Sequence, residues 1–343
     1  MDKRVTIYDI AKRLGISTAT VNRALTGKPK VNEDTRALVV KTAQQMGFRP
    51  NSLARAIARR QMRLAVVAFT SFPEFHGEYI AGCKQAGEEL RDYNVQIDYF
   101  SYDGGASNTP ESDVFLNDTL MNIANSGYDG ALVCARFTAA FNVLREKGVA
   151  VATAINDIDV EYRRFCVRYN GFVAGRMAAE LIWRLARRER PVAIASCDMT
   201  RNGIHSEIVE GFKSQLQYTP LDLKSVYYHY DDDEQAYAKT NRLIDEIDDI
   251  AAIYVNSFCS TGVIRAIVER RRNDIVLVTS DISRSLRENL ASGVVSASIF
   301  QNQRLQGEMG LKLLYRSIAD GENVEDRILI KPEIILASNM DLY

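Results

Sequence analysis

Two hydrophobic rhythms divide the chain. Near its start the apolar positions keep helical spacing: Ile7, Ile10, Ala11 and Leu14 fall at i, i+3, i+4 and i+7, behind a Thr6 cap with Asp9 in the first turn and ahead of Gly15. After a short turn Ser17 caps a second helix with Val21, Ala24 and Leu25 inward, and a third runs from an Asn32 cap through Ala43 to Met46, stopping at Gly47. Two short helices joined by a tight glycine-containing turn form a helix-turn-helix. Beyond Arg63 the rhythm changes to short β-rich runs: LAVVAF (64–69), VQIDYF (95–100), GALVCA (130–135), VAVATAI (149–155), VAIAS (192–196), AAIYVN (251–256) and IVLVTS (275–280). Between most of them lie helical stretches such as GCKQAGEELRDY, DTLMNIANSGY, AAFNVLREKG, VAGRMAAELIWRLARR, EIVEGFKSQLQ and STGVIRAIVERRR. Strands alternating with helices predict parallel sheets flanked by helices, and the stretch is too long for one such sheet, so two lobes are expected.

Composition adds a partner. The chain has 343 residues, 46% hydrophobic and 25% charged, the make-up of a globular protein with room for two or three domains. Its net charge of -1 hides a split: residues 1–60 hold 13 Lys and Arg against 4 Asp and Glu, giving +9, and the remainder 30 against 40, giving -10. The basic segment is interleaved with Val5, Ile7, Ile10, Ala11, Leu14, Val21, Leu25, Val31, Leu38, Val39 and Met46, enough for a small core, so it is expected to fold and to meet a polyanion, DNA. MDKRVTIYDIAKR holds no signal-peptide core, and no apolar run of about 18 residues occurs; the expected compartment is the cytoplasm, with no membrane partner. Cys83, Cys134, Cys166, Cys197 and Cys259 are odd in number and dispersed, which reads as reduced thiols and no metal site. No cofactor is expected.

VTIYDIAKRLGISTATVNRALTG, followed by VNEDTRALVVKTAQQMGFRPNSLARAIA, resembles the DNA-binding headpiece and hinge of the lactose-repressor (LacI) family of bacterial transcription regulators. Carried over residue by residue, the resemblance implies base-edge contacts by Thr18, Ala19 and Arg23 and phosphate-backbone contacts by Ser17, Thr20, Asn22, Val31 and Asn32. Arg23 suits a bidentate bond to guanine; Ala19 and the Thr18 methyl suit a thymine methyl. Asn22 stands where the family usually has Ser. Pro50 blocks continuation of the third helix, and Asn51 can cap a short one too small to hold alone. The resemblance makes this a minor-groove hinge of Asn51, Ala54, Arg55 and Ile57, with Ile57 at the wedge position where Leu is usual; a flexible linker is the alternative.

From Arg63 onward the layout is similar, more loosely, to that family's effector-binding core and to periplasmic sugar-binding proteins. The expected fold is thus an all-α helix-turn-helix headpiece (1–50), a hinge and linker (51–61), and an α/β two-lobed periplasmic-binding-protein-like core (62–343). Its N-lobe is expected at about 62–163 and 297–325, and its C-lobe at about 164–296 and 326–343. Ligands of open α/β sheets meet the carboxyl ends of the strands. That selects Phe72, Glu74, Phe75, Arg136, Asn156, Asp157, Asn256 and Asp281, with Gln301 at a later crossover. Carboxylates and amides can serve paired hydroxyls and aromatic faces can cover a sugar ring, so a sugar-like effector is expected; by resemblance Asp281 and Gln301 align best with sugar-hydroxyl ligands.

Two departures from the family point to a different effector. Ile208 stands where the family commonly has Arg, with His205 and Glu207 as the nearby polar groups, and Tyr169-Asn170 replaces the usual Asp-Asn. Arg136, Arg168, Arg201 and His205 offer an alternative reading, a site for a sugar acid or sugar phosphate. Catalytic signals are missing: no G-x-G-x-x-G, P-loop or G-x-S-x-G occurs, His76, His205 and His229 lack metal spacing, and Asp231-Asp232-Asp233 reads as an exposed loop. The expectation is a repressor that binds operator DNA, against the alternative of a carbohydrate-processing enzyme fused to a DNA-binding head. The closing Asn339-Met340-Asp341-Leu342-Tyr343 carries no apolar heptads, so a homodimer rather than a tetramer is expected.

Overall fold

The computed structural model describes residues 5–25, 29–46, 48, 60–70, 72–102, 110–134, 138–186, 191–197 and 203–343. It divides into two compact units, Met1–Arg60 and Gln61–Tyr343.

In the first unit α1 (Ile7–Leu14) opens on a capping box: Asp9 N–H donates to the Thr6 hydroxyl, and Thr6 N–H donates back to the Asp9 carboxylate at 2.8 Å. Gly15, at φ +66°, stops the helix in the left-handed region that a residue without Cβ adopts freely. The chain turns into α2 (Thr18–Leu25), whose Thr20 N–H donates to the Ser17 hydroxyl at 3.1 Å. Asn32 caps α3 (Glu33–Gln45) by accepting from Thr35 N–H at 2.7 Å. Ile10, Ala11, Val21, Ala24, Val39 and Ala43 are buried together, closed in by Val5, Ile7, Leu14, Ile16, Leu25, Val31, Met46 and Phe48. Leu38, expected in this core, is instead 53% exposed. The helical period accounts for it, because Val39 and Ala43 own the inward stripe of α3 and Leu38 lies about 100° around from Val39.

The second unit holds two six-stranded sheets among the described residues. In chain order the elements are β1 (Met62–Phe69), α4 (Pro73–Leu90), β2 (Val95–Tyr102), α5 (Pro110–Asn125), β3 (Gly130–Val133), α6 (Ala140–Glu146), β4 (Ala150–Ala154), β5 (Phe165–Tyr169), α7 (Gly171–Ala186), β6 (Pro191–Ser196) and α8 (Ile204–Leu216). There follow β7 (Asp222–Tyr228), α9 (Asp233–Glu246), β8 (Ala252–Val255), α10 (Thr261–Glu269), β9 (Val276–Ser280), α11 (Arg284–Ala291), β10 (Ala297–Phe300), α12 (Gln303–Ala319), β11 (Arg327–Ile330) and β12 (Glu333–Ile335). The N-lobe sheet runs β11-β5-β4-β3-β1-β2, parallel at every pairing, and the C-lobe sheet β12-β10-β9-β8-β6-β7, parallel except where β12 meets β10.

The chain exchanges lobes at about residue 170, at 301–302 and at 331–332, which corrects the expected boundaries. β5 and β11 complete the N-lobe sheet, beyond the 163 and 325 limits expected for it, and β10 belongs to the C-lobe sheet rather than opening the return to the N-lobe. Hydrogen bonding decides membership, and β5 finds its free neighbour on β4. Each lobe also has a helix pair locked by reciprocal glycines. A Cβ on Gly82 of α4 would lie 1.9 Å from the Arg304 carbonyl of α12, and one on Gly307 2.3 Å from that of Tyr79; Gly175 of α7 and Gly211 of α8 face Ile208 and Phe172 at 1.9 and 2.0 Å in the same way. Ile208 is fully buried at this second contact, where it helps to hold the two helices together.

Candidate functional site

α2 presents a reading face. Successive residues turn by about 100°, which puts Thr18, Ala19, Asn22 and Arg23 on one arc of about 140° and Val21 and Ala24, the residues it buries, on the opposite side. Ala19, Asn22 and Arg23 are exposed and Thr18 is half-exposed. Arg36 of α3 closes the end of α2, its Nη1 donating to the Ala24 carbonyl at 3.2 Å. Ser17 and Asn32 stand at the N-termini of α2 and α3, where unpaired backbone N–H groups and the helix dipole favour a phosphate. The Val31 side chain packs on the core and Asn32 is engaged in capping, so what these two present outward is main chain. Thr20 bonds the Ser17 hydroxyl at 2.8 Å. Asn51, Ala54, Arg55 and Ile57 lie outside the described residues, as do Gly47, Arg136 and Arg201.

In the second unit the carboxyl ends of the two sheets face one another across a cleft. Phe72, the N-cap of α4 at φ +54°, and Phe75 close against Phe258, which follows β8 of the other lobe, at ring-centroid distances of 5.9 and 5.5 Å. Glu74 accepts from Arg284 N–H at the start of α11, at 2.8 Å. Arg168 of β5, 2% exposed, forms an ion pair with Glu207 in the first turn of α8. These contacts bridge the lobes, so the cleft is drawn closed.

Its floor is a network of buried polar groups. Asp281, 1% exposed, follows β9 in the left-handed region at φ +64°, a conformation costly for a residue with a side chain and typical of functional sites. Its carboxylate accepts from Gln301 Nε2 at 2.7 Å and Gln301 N–H at 3.3 Å, clasping the second crossover, and its carbonyl accepts from the Ser298 hydroxyl. Burial pushes the Asp281 carboxyl up to about 7, against hydrogen bonds from Gln301 and Gln303. Gln306 Nε2 donates to the Gln301 carbonyl at 2.8 Å. On the same lobe, beside β8, His205 Nδ1 donates to the Asn256 carbonyl at 3.1 Å, and Asn256 Nδ2 donates to that of His205 at 3.4 Å. Tyr169, deeply buried, has its hydroxyl pushed far up by that burial and by the fields of Tyr254 and Asp281. Arg168 Nε, Asn256 Oδ1, Gln303 Oε1 and Gln306 Oε1 are buried with no hydrogen-bond partner. Each such group calls for an explanation, and a bound ligand is one.

The structure therefore gathers Phe72, Phe75, His205, Asn256, Asp281 and Gln301 around the lobe junction, with Asn156 half-buried just past β4. Asp157 is a correction. The loop after β4 folds back until Arg164 N–H reaches the Val151 carbonyl at 2.7 Å, and this carries Asp157 away from the strand end. There it accepts from Arg163 Nη2 at 2.9 Å, Arg327 Nε at 3.0 Å and Ile158 N–H at 2.9 Å. Burial alone would raise its carboxyl, but Arg163 and Arg327 outweigh it and hold the group below the usual carboxylate range. Asp157 is a fixed anchor of the N-lobe edge. The acidic run Asp231-Asp232-Asp233 is also not a plain loop, since Asp232 caps α9 by accepting from Gln235 N–H at 2.9 Å. Gln303, Gln306, Phe258, Tyr169 and Tyr254 were not legible as site residues; only the position of the glutamines, just past the Gln301 crossover, pointed to them.

Fold and site together define a class: a helix-turn-helix reader joined to a two-lobed ligand-binding core, the build of a ligand-controlled transcription regulator. Residues 65–323 match the model of the periplasmic binding protein domain and residues 6–51 that of bacterial regulatory proteins of the lacI family. The chain belongs to the lacI family of DNA-binding transcription regulators and carries a periplasmic binding protein domain as its core. It is similar to catabolite control protein A of Priestia megaterium, 25% identical over 84% of this chain and 87% of that protein. It is also similar to the HTH-type transcriptional repressor PurR of Mannheimia succiniciproducens, 24% identical over 98% of each. Among solved structures the core shares its fold with GanP, a glucose-galactose binding protein from Geobacillus stearothermophilus, at TM-score 0.72 and 18% identity over 82% of this chain and 99% of that one. These relatives are regulators and binding proteins, and nothing among them supports the enzymatic alternative. Among the described residues no helix is long and apolar enough to cross a membrane.

Proposed function

We propose that the chain is a cytoplasmic, homodimeric repressor whose operator affinity is set by a sugar-like effector held between the core lobes. Thr18, Ala19 and Arg23 read base edges; Ser17, Thr20, Asn22, Val31 and Asn32 hold phosphates; Asn51, Ala54, Arg55 and Ile57 supply the minor-groove hinge. Phe72, Phe75, Asn156, His205, Asn256, Asp281 and Gln301 contact the effector, and Arg136 belongs to the same set. The observation that carries the reading is the closed cleft with unpartnered buried polar groups at its floor, bridged by Phe72 and Phe75 on Phe258, Glu74 on Arg284 and Arg168 on Glu207.

Effector binding and DNA binding are reciprocal. A ligand held tenfold more tightly by the DNA-free form weakens the DNA complex tenfold, about 1.4 kcal/mol per site. The test begins with selection of bound duplexes from a random pool by the full-length protein. A two-fold-related pair of half-sites is expected, and affinity for it should change when a cleft ligand is added. Selection of asymmetric or unrelated sequences would remove the dimeric reading, and operator affinity indifferent to every ligand that stabilises the core would remove the control.

A further inference from the structure

We infer that Arg36 of α3, which lies off the reading face, is a positioning residue for base recognition: it holds the end of α2 so that Arg23 discriminates its base. The inference rests on the reading of Arg23 as a base contact and adds the residue through which that contact keeps its selectivity.

The reading helix is short, and Arg23 stands near its end. α2 has eight residues, too few to hold a helix by backbone bonding alone. The last four carbonyls of an α-helix lack a donor within the helix, and in α2 these are the carbonyls of Asn22, Arg23, Ala24 and Leu25. Arg36 Nη1 meets two of them, Ala24 at 3.2 Å and Arg23, more loosely, at 3.5 Å. A guanidinium there also faces the negative end of the helix dipole, whose pull is felt within the last turn. The Arg36 side chain is 21% exposed, whereas that of Glu33, 3.7 Å from Arg36 Nε, is 91% exposed and competes weakly for it.

Two consequences reach Arg23. The first is geometric. A bidentate bond to a base edge needs the guanidinium placed to within about 0.5 Å, and Arg36 holds the peptide units from which Arg23 springs, its own carbonyl among them. The second is electrostatic. Arg23 is the basic residue of the last turn of α2, where such a side chain can turn back onto the helix's own carbonyls. A second cation already on those carbonyls opposes that return, and the Arg23 side chain stands exposed. Thr18 and Ala19 sit at the other end of α2, beside the Ser17 cap, and do not depend on Arg36.

The experiment uses the full-length chain, the duplex it selects, and duplexes in which each base pair of the half-sites is replaced in turn. Affinities come from fluorescence anisotropy over a range of salt, and discrimination is the ratio of affinities for the selected and the replaced duplex. Arg23→Ala marks the pair that Arg23 reads, as the one where discrimination falls. Arg36→Met should lower discrimination at that same pair about fivefold or more and leave the other pairs unchanged within about twofold. Added to Arg23→Ala it should change that pair by less than about twofold, since the residue it acts through is gone. Arg36→Lys, which keeps a cation for the carbonyls, should return most of the lost discrimination. Discrimination that Arg36→Met leaves intact at that pair, or lowers evenly at every pair, overturns the inference while the reading of Arg23 stands. If affinity falls equally on every duplex instead, a salt slope lower by about one makes Arg36 a phosphate contact and an unchanged slope makes it a residue of the fold alone; either overturns the inference. Should Arg36→Met bind no duplex, Arg36→Gln, which keeps N–H donors without the charge, is read by the same ratios, and binding lost by all three Arg36 variants overturns the inference as well. Arg23→Ala that spares discrimination at every pair removes the reading of Arg23 itself, and the inference with it.

Discussion

Replacing Asp281 by Asn keeps the shape of the side chain and one acceptor for the Gln301 N–H, but removes a titration. In the folded chain the carboxyl holds its proton up to about pH 7, whereas in the unfolded chain it releases it near the ordinary 3.8. The unfolded state therefore binds fewer protons across that interval, and wild-type stability falls as pH rises from about 4 to about 7, then levels. At about 1.36 kcal/mol per unit, a displacement of roughly three units amounts to about 4 kcal/mol, of which about 2.5 kcal/mol is lost between pH 5 and pH 8. The Asn variant lacks this slope, so its stability relative to wild type should rise by about 2.5 kcal/mol over the same range, on top of a constant offset of about 1 kcal/mol for the altered Gln301 bond. The single tryptophan, Trp183, lies on α7 of the same lobe and reports core unfolding by fluorescence in urea. A stability difference between the two proteins that stays flat within about 0.5 kcal/mol from pH 5 to 8 would refute the account of Asp281 as a buried carboxyl without a compensating cation.

Arg23→Ala should cost about 1–3 kcal/mol on the selected operator and little on random duplex; equal losses on both, in filter binding at fixed salt, would reduce Arg23 to a phosphate contact. Gly175→Ala should destabilise the core by about 3 kcal/mol, since the added methyl overlaps the Ile208 carbonyl, and Trp183 fluorescence in urea reads it directly. Phe258→Ala opens the aromatic closure over Phe72 and Phe75 and should weaken effector binding about tenfold with operator affinity unchanged, as calorimetry and anisotropy would separately show. Sedimentation at micromolar concentration should give a dimer; a tetramer would contradict the proposed homodimer.

Among the described residues of the first unit the helices were legible, because short helices announce themselves by caps: Thr6 with Asp9, Ser17, Asn32 and Gly15 each bond or bend as their side-chain chemistry requires. Leu38 escaped, since an apolar residue beside an inward stripe looks like part of it until the helix phase is fixed. In the core the seven apolar runs all lie in or against strands, whereas β5, β7, β10, β11 and β12 went unread. FCVRY carries an arginine as its fourth residue, and no local pattern says that Glu207, 39 residues on, neutralises it. The same blindness moved the lobe boundaries: which sheet a strand joins is set by a partner that is free in three dimensions. Asp157 failed for a related reason, since the strand end was found but the direction of the loop beyond it was not.

The three crossovers also set a timetable for synthesis. β5 is made some 160 residues before β11, the strand that covers its outer edge, and β10 waits likewise for β12, so neither sheet is complete until residues 327–335 exist. At about 5–20 residues per second the N-lobe passes roughly 8–30 s as a nascent sheet with an uncovered edge. The helices α1 to α3 are all made within the first forty-five residues and can fold on the ribosome long before the core, so a chain stalled short of Arg327 would carry a finished helix-turn-helix beside two unfinished sheets.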